Sequence, residues 1–340
     1  MKQRELSYDL MRIVSIIAVI IIHVSATNWY HTSIDNYWLI NNFVNALFHS
    51  WAVPLFLMVS GALLLNKEIT IKKVFLKYIP RVLICLIIWH FIYYFYTNKV
   101  FNINSLIEAT KKLVSGESYS HLWYLYMIIG IYILLPILSK LVKSLNKNEL
   151  GYFLIIVLII ATVIPTIKLL FDFDLTKFIV PYKVLQFNEY IFYFILGYYI
   201  NNFDVKNKKV LIILIIIFLL TNIGVACFSN YMSVKNNDFI NYANTYTVFG
   251  VINTICLFMV IKSIFSNKNN KVISSLGNLS FGVYLIHFLI IKILQNHGIH
   301  TNMINPVLGN ILVTILVLVI SYFIVFIISK IPIMKKTIGL

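Results

Sequence analysis

Arg12 and His23 lie in one apolar stretch, DLMRIVSIIAVIIIHVSA, which runs from Asp9 to Ala26. On a helix, a spacing of eleven residues leaves the two side chains only ~20° apart around the axis and roughly 16 Å apart along it. A guanidinium binds anions through a rigid fork of N–H donors. An imidazole exchanges protons near neutral pH. The spacing therefore predicts one helix face with an anion-binding group at one end and a proton acceptor near the other.

The helix that carries these residues belongs to an unusually apolar chain. Of its 340 residues, 60% are hydrophobic and only 12% are charged, and the mean hydropathy is +0.86. Soluble domains are roughly half apolar and about a quarter charged. The composition therefore predicts an integral membrane protein.

Ten apolar runs are long enough to cross a bilayer as helices, for which about 20 residues are needed. The predicted spans are 10–26, 46–65, 79–96, 122–141, 150–170, 186–200, 209–227, 245–264, 276–294 and 306–329. The runs are continuous rather than alternating, which favours helices over a membrane barrel. We therefore predict an all-α membrane protein with about ten transmembrane helices and a single domain over residues 1–340.

The chain is strongly basic, with a net charge of +16. With Arg12 and Arg81 set aside as parts of spans, eighteen cationic residues fall in one set of loops and eight in the other. The positive-inside rule therefore predicts both termini in the cytoplasm. The same distribution explains the basic charge without nucleic acid as a partner. Usage rich in Lys, Asn and Ile indicates an AT-rich bacterial genome, so we expect a multi-pass protein of a bacterial cytoplasmic membrane.

Other interpretations of the first run stay open at this point. Lys2 and Arg4 before an apolar run that ends Val-Ser-Ala are also typical of a cleavable signal peptide. Arg12 is close enough to the inner surface to extend its charge into the interface, and Asp9 three residues earlier could pair with it. His23 could be a hydrogen-bonded structural histidine, although ionisable groups within a span usually face a cavity or a partner.

Four stretches resemble the membrane-bound acyltransferase-3 family. Arg12 and His23 match its R-X10-H signature, and VPLFLMVSGALL (53–64) is similar to its second-helix motif. HLWYLYMIIGIYILLPIL (121–138) is similar to its fourth-helix motif, and SFGVYLIHFLII (280–291) to its late Tyr-x-x-His motif. Their order and spacing resemble the compact members that O-acetylate surface polysaccharides. One departure is the stretch Phe48-His49-Ser50-Trp51, where related sequences often carry an arginine before the Val-Pro motif.

The resemblance implies an O-acyltransferase that moves an acyl group, usually acetyl, from cytoplasmic acyl-CoA to a hydroxyl at the outer face. The acceptor would be a cell-envelope glycan or a lipid-linked sugar in contact with the lipid bilayer. The sequence leaves open which glycan, which acyl group and which oligomeric state apply.

The resemblance and the orientation together assign candidate residues. Arg12 and Arg81 would bind the anionic head of acetyl-CoA, together with the lysines of the 67–77 loop. His23 would act as a general base or carry the acyl group covalently, and the sequence does not choose between the two. The remaining candidates are His287 as a second catalytic histidine, and Tyr284, Trp123, His121 and Ser60 as substrate-binding residues.

Several chemistries lack their motifs. The sequence has no H-E-x-x-H pattern, P-loop or dinucleotide-binding glycine pattern, so we expect no metal. The carboxylates lie almost wholly in loops, which argues against an intramembrane proton relay and against glycosidase chemistry. A polysaccharide-precursor transporter or flippase without acyl transfer remains an alternative, as does a membrane sensing or anchoring module.

Overall fold

The computed structural model describes residues 5–27, 33–173, 189–266 and 268–340. Within these ranges the chain is helical and has no strands, which confirms the predicted all-α class. The helices are α1 (Leu6–Ser25), α2 (Asn36–His49), α3 (Ala52–Leu64), α4 (Ile71–Lys73), α5 (Ile79–Asn98), α6 (Ile103–Ser115), α7 (Trp123–Ser144), α8 (Lys147–Leu158), α9 (Ile164–Phe171), α10 (Glu189–Ile200), α11 (Lys208–Asn236), α12 (Val248–Phe265), α13 (Lys271–Asn296) and α14 (Pro306–Lys330).

Nine helical segments of the described residues are long and apolar enough to cross a membrane. They overlap nine of the ten predicted spans, and consecutive helices merge in several of them, so that α2 and α3 together form one segment and α8 and α9 another. The sixth predicted span, 186–200, begins outside the described residues. Its described part is α10, which has 12 residues.

The second span begins about ten residues earlier than predicted, because α2 precedes α3. The run NYWLINN at the start of α2 is too polar for a hydropathy window, but Asn41 and Asn42 within it are buried, and their amide nitrogens donate hydrogen bonds. Asn41 donates to the Asn302 side chain at 3.0 Å, and Asn42 donates to the Asn230 side chain at 2.8 Å. Asp35 accepts from the Trp38 amide at 2.7 Å and fixes where α2 begins.

A further helix, α6, lies where the sequence analysis expected only a loop. Asn102 and Ser105 form a reciprocal capping box at its start, and Gly116 ends it in the left-handed conformation. One side of α6 exposes apolar side chains such as Ile103 and Val114. Such an amphipathic helix, with 13 residues, is typical of a segment lying at a membrane interface.

The first helix is at the centre of the bundle and packs against α2, α3, α12, α13 and α14. Its contact with α13 is close at Gly277, where an added Cβ would lie 2.8 Å from the Asp9 Cβ. Asp9 is fully buried at this contact and forms an ion pair with Arg12 at 3.1 Å. Close packing of α1 and α13 therefore fixes the position of the Arg12 partner.

A second close contact joins α3 to α10. A Cβ on Gly61 would overlap the carbonyl oxygen of Phe194, and a Cβ on Gly197 would overlap the backbone of Met58. The two helix backbones therefore approach each other more closely than any larger residue permits, as is common for small residues in membrane helices. This contact explains the glycine in the Val-Pro motif without any catalytic role for it.

We expect Gly61→Ala and Gly197→Ala to destabilise the protein by about 3 kcal/mol or more, because each methyl group meets backbone atoms that cannot move aside. Thermal unfolding of the purified variants in nanodiscs measures the loss. Gly130→Ala is the matched control, since a Cβ at this helical position meets nothing within 4 Å. Equal melting temperatures for the Gly61 and Gly130 variants would contradict the close contact.

Candidate active site

Three histidines from distant parts of the sequence meet near the end of α1 that carries His23. The ring centroids of His23 and His287 are 5.3 Å apart, and those of His121 and His287 are 5.4 Å apart. His23 and His121 are 6.3 Å apart. The two predicted catalytic histidines therefore lie in one cluster of rings with His121, which was predicted as a substrate-binding residue at a membrane edge. We call His23, His121 and His287 with their surrounding rings the histidine pocket.

The hydrogen bonds of His287 fix where its proton lies. Its Nδ1 atom is 2.6 Å from the backbone oxygen of Tyr284. A carbonyl oxygen only accepts, so Nδ1 carries the hydrogen and Nε2 keeps a lone pair. Nε2 is buried and has no hydrogen-bond partner among the described residues. His287 therefore presents a proton acceptor toward the neighbouring rings, while His23 is half-buried.

Aromatic rings enclose the three histidines. Phe288 stacks on His121 with centroids 5.2 Å apart and contacts His23 edge-on at 5.0 Å. Tyr93 of α5 contacts His121 at 4.7 Å. The Tyr93 hydroxyl donates to the Leu285 oxygen at 2.9 Å and so ties α5 to α13. The pocket is therefore a rigid, largely apolar setting for its imidazoles.

A large cavity lies at the other end of α1, around Arg12. Its volume is about 1330 Å³. Four cationic side chains line it, together with the carboxylates Glu5 and Asp9. The cationic side chains are Arg12, Lys67, Arg81 and Lys268. The cavity therefore has a positive balance and room for an anionic ligand.

Two tyrosines lie between this cavity and the histidine pocket. Tyr124 lines the cavity, and its ring is 5.3 Å from that of Tyr284. The Tyr284 ring is 5.8 Å from both His121 and His287, and its hydroxyl donates to the His121 backbone oxygen. The cavity and the pocket are thus neighbours that share a wall of phenol rings.

The other two predicted substrate-binding residues lie apart from the histidines. Ser60 lines the cavity, and its hydroxyl donates to the Phe56 oxygen at 2.9 Å. Trp123 begins α7 and is 41% exposed, and its ring lies 5.2 Å from that of Tyr190. Trp123 therefore faces the surface beside α10, although it is only two residues from His121.

The comparison with known families rests on nearly the whole chain. The sequence model of the acyltransferase-3 family, described as an acyltransferase domain, matches residues 5–330. The chain belongs to the acyltransferase-3 family. No curated protein and no solved structure matches it. Membership in the family establishes acyl transfer as the class of reaction and a bilayer as the setting.

Among the described residues, no group of three or more histidine, cysteine, aspartate or glutamate side chains is arranged to hold a metal ion.

The break between α2 and α3 falls within the stretch Phe48-His49-Ser50-Trp51. Ser50 is buried there, and its hydroxyl accepts from the Asn253 amide nitrogen at 3.3 Å. Asn45, one turn earlier on α2, donates to the Ile22 oxygen at 2.9 Å, next to His23. Neutral hydrogen bonds therefore hold this part of the acyltransferase together.

Several residues that line the two sites were not among the predicted site residues. Lys67 was included only as part of a basic loop and Lys268 only in the count of loop cations, and Tyr93, Tyr124 and Phe288 were not named. Tyr124 lies within the fourth-helix motif, which was the available signal for it. Nothing in the local sequence distinguishes Tyr93 from the other aromatic residues of α5.

Proposed function

We propose that the cavity around Arg12 binds an acyl-CoA thioester, with acetyl-CoA as the donor. The phosphates of the donor would contact the guanidinium groups of Arg12 and Arg81 and the ammonium groups of Lys67 and Lys268. Arginine suits phosphate because its fork of donors matches the oxygens, whereas lysine adds a mobile point charge. The cavity volume and its positive balance support this assignment.

The single observation that carries the proposal is the arrangement along α1. Arg12 lines the donor cavity, and His23 enters the histidine pocket roughly 16 Å further along the same helix. The pantetheine arm of the donor is the part that would extend from one to the other. Its path would pass the rings of Tyr124 and Tyr284.

In the proposed reaction His23 accepts the proton of the acceptor hydroxyl. The hydroxyl oxygen forms a bond to the thioester carbonyl carbon, and the carbon–sulfur bond breaks. The proton held by His23 passes to the departing thiolate, so the products are an ester and free CoA thiol. His287 and His121 would position the His23 ring, because both rings contact it or each other within the pocket.

The charge distribution supports a cytoplasmic donor cavity, with the histidine pocket nearer the outer face of a bacterial cytoplasmic membrane. The acceptor would then be a hydroxyl of a cell-envelope glycan or a lipid-linked sugar. The enzyme would act as an O-acyltransferase that modifies surface polysaccharide.

Incubation of purified protein with radiolabelled acetyl-CoA and extracted cell-envelope glycans tests this function. We expect base-labile label in a glycan or lipid-linked fraction and release of free CoA thiol in equal amount. Absence of base-labile label from every glycan and lipid-linked fraction, with no release of CoA thiol, would contradict the proposal.

The pH dependence of donor binding provides a further prediction. Burial lowers the pKa of Lys67, and the charges of Lys73, Arg12 and Lys77 lower it further. Lys67 therefore loses its charge at a lower pH than an ordinary lysine, whose pKa is about 10.4. We expect donor affinity to weaken as the pH rises through the lowered pKa of Lys67, at a pH where an ordinary lysine is still charged. The phosphates, with a second pKa of about 6, are already ionised there.

Equilibrium binding of 3′-phospho-ADP, the anionic head of CoA, between pH 7.5 and 10 measures this dependence. Lys67→Arg should reduce the loss of affinity, because arginine stays protonated throughout. Lys99→Arg, at a position that does not line the cavity, is the control and should leave the pH profile unchanged. Identical profiles for the wild type and Lys67→Arg would remove Lys67 from the donor site.

A further inference from the structure

One face of α5 connects the donor cavity to a C-terminal segment, Met334–Leu340. Arg81, Cys85 and Trp89 follow one another at four-residue intervals, so they lie on the same face of the helix. Arg81 lines the cavity. The next two side chains both donate to the backbone of the segment.

Two hydrogen bonds hold the segment against α5. The Cys85 thiol lies 3.4 Å from the Lys336 oxygen, which accepts from it. The indole nitrogen of Trp89 donates to the Thr337 oxygen at 2.8 Å. Both donor side chains are buried. The segment is therefore attached by its backbone, independently of most of its side chains.

Helices α13 and α14 enclose the segment from the other side. Ile338 is 1% exposed, and a Cβ added to Gly282 of α13 would lie 3.1 Å from its Cβ. Gly339 has a φ of +70°, and a Cβ at this position would lie 2.7 Å from the Phe281 ring. The chain takes this left-handed turn because glycine permits both the dihedral angle and the close approach.

The turn brings Gly339 and Leu340 to the cavity itself. Both line it together with Arg81, Val82 and Phe281. We propose that the segment Met334–Leu340 forms a wall of the donor cavity, and that Leu340 contacts the bound acyl-CoA. This inference rests on the proposed function of the cavity as the donor site, and it adds an apolar contact beside the Arg81 guanidinium.

Protection of a thiol at the wall tests the contact directly. The Leu340→Cys variant, in a Cys227→Ala background that removes the exposed native thiol, is treated with a maleimide with and without desulfo-CoA. We expect saturating desulfo-CoA to slow modification by about tenfold or more. Ile333→Cys is the matched control, because Ile333 is 86% exposed just before the segment and does not line the cavity. Its modification rate should not change.

Displacement of the wall provides a second, independent measurement. Gly339→Ala forces a methyl group against Phe281, and we expect the Kd for desulfo-CoA to rise by about fivefold or more. Gly298→Ala places a methyl group at the same type of backbone position, with a φ of +77°, but in open space. It should leave the Kd within twofold, so a general effect of left-handed strain is excluded.

Loss of the two hydrogen bonds from Cys85 and Trp89 to the segment should also raise the Kd for desulfo-CoA. Trp89→Phe combined with Cys85→Ala removes both hydrogen bonds to the segment and should also weaken desulfo-CoA binding by about fivefold. Trp51→Phe combined with Cys256→Ala is the control. Trp51 is as buried as Trp89 and donates to the Leu47 oxygen at the same distance of 2.8 Å, and Cys256 is also buried.

The outcomes separate the two claims. The wild type could bind desulfo-CoA while the ligand fails to protect Leu340→Cys and Gly339→Ala leaves the Kd unchanged. In that case the segment is not part of the donor site, and the proposed function stands. If the wild type itself binds no desulfo-CoA, both the wall and the donor assignment are overturned.

Discussion

His23→Gln should insert and fold normally yet lose acyl transfer by a factor of about 10² or more, the range usual for removal of a general acid–base group. Glutamine keeps the polarity of the side chain and a similar size, but it does not accept a proton at these pH values. The His23 ring is half-buried and in contact with His287 and Phe288. Its replacement therefore removes a proton acceptor without leaving a buried charge unpaired.

Initial rates of ester formation with saturating acetyl-CoA measure this loss. His297→Gln is the matched control, because His297 is an exposed histidine just after α13, and its Nδ1 atom donates to the Ile293 oxygen of its own helix end at 2.8 Å. We expect His297→Gln to retain wild-type rates. If His23→Gln transfers at a near wild-type rate, His23 is a structural residue and the catalytic role passes to His287, whose Nε2 faces the same pocket.

Arg81→Ala should weaken acyl-CoA binding by about tenfold to a hundredfold, with a smaller effect on the melting temperature. A hydrogen bond to a charged group contributes about 1.5–3 kcal/mol, and each 1.4 kcal/mol is about tenfold in affinity. Arg81→Lys should restore part of this affinity if charge alone matters, and little if the guanidinium fork matters. Lys99→Ala, away from the cavity, should leave the affinity unchanged.

Arg12→Ala should have an effect of similar size on donor binding, but it needs a different control. Asp9 is fully buried against Gly277, so loss of Arg12 removes an ion-pair partner of a buried carboxylate and should reduce stability by itself. Asp9→Asn combined with Arg12→Ala neutralises both groups and separates folding from binding. Unchanged donor affinity in this double variant and in Arg81→Ala would remove both arginines from the donor site.

The transmembrane architecture was predictable because continuous apolar runs report membrane burial directly. The start of α2 was missed because asparagines are typical of solvent-exposed segments. In the bundle, Asn41 and Asn42 are buried and donate to the side chains of Asn302 and Asn230. The helix α6 was missed because it is amphipathic. Its signals were the capping residues Asn102 and Ser105 and the terminal Gly116, which a search for apolar runs does not weigh.

The candidate site was predictable only in part. Helical spacing placed Arg12 and His23 on one face of α1, and Tyr284 and His287 on one face of α13. No spacing rule relates His121 to either helix, because its position depends on how α5, α7 and α13 pack around Tyr93. The position of Leu340 at the cavity was likewise not predictable from the sequence, since it depends on how residues 334–340 fold back onto Cys85 and Trp89.

The central claim is that the acyl group enters at the cavity around Arg12 and leaves at the histidine pocket on the other side of the membrane. Proteoliposomes test it when radiolabelled acetyl-CoA is supplied on one side and glycan acceptor on the other. The orientation of the protein is established by reaction of Lys72→Cys with an impermeant maleimide, with the parent chain as background.

We predict base-labile label on the acceptor only when acetyl-CoA is on the side where residue 72 reacts and the acceptor is on the opposite side. Transfer that requires donor and acceptor on the same side, or donor on the side opposite to residue 72, would contradict the account.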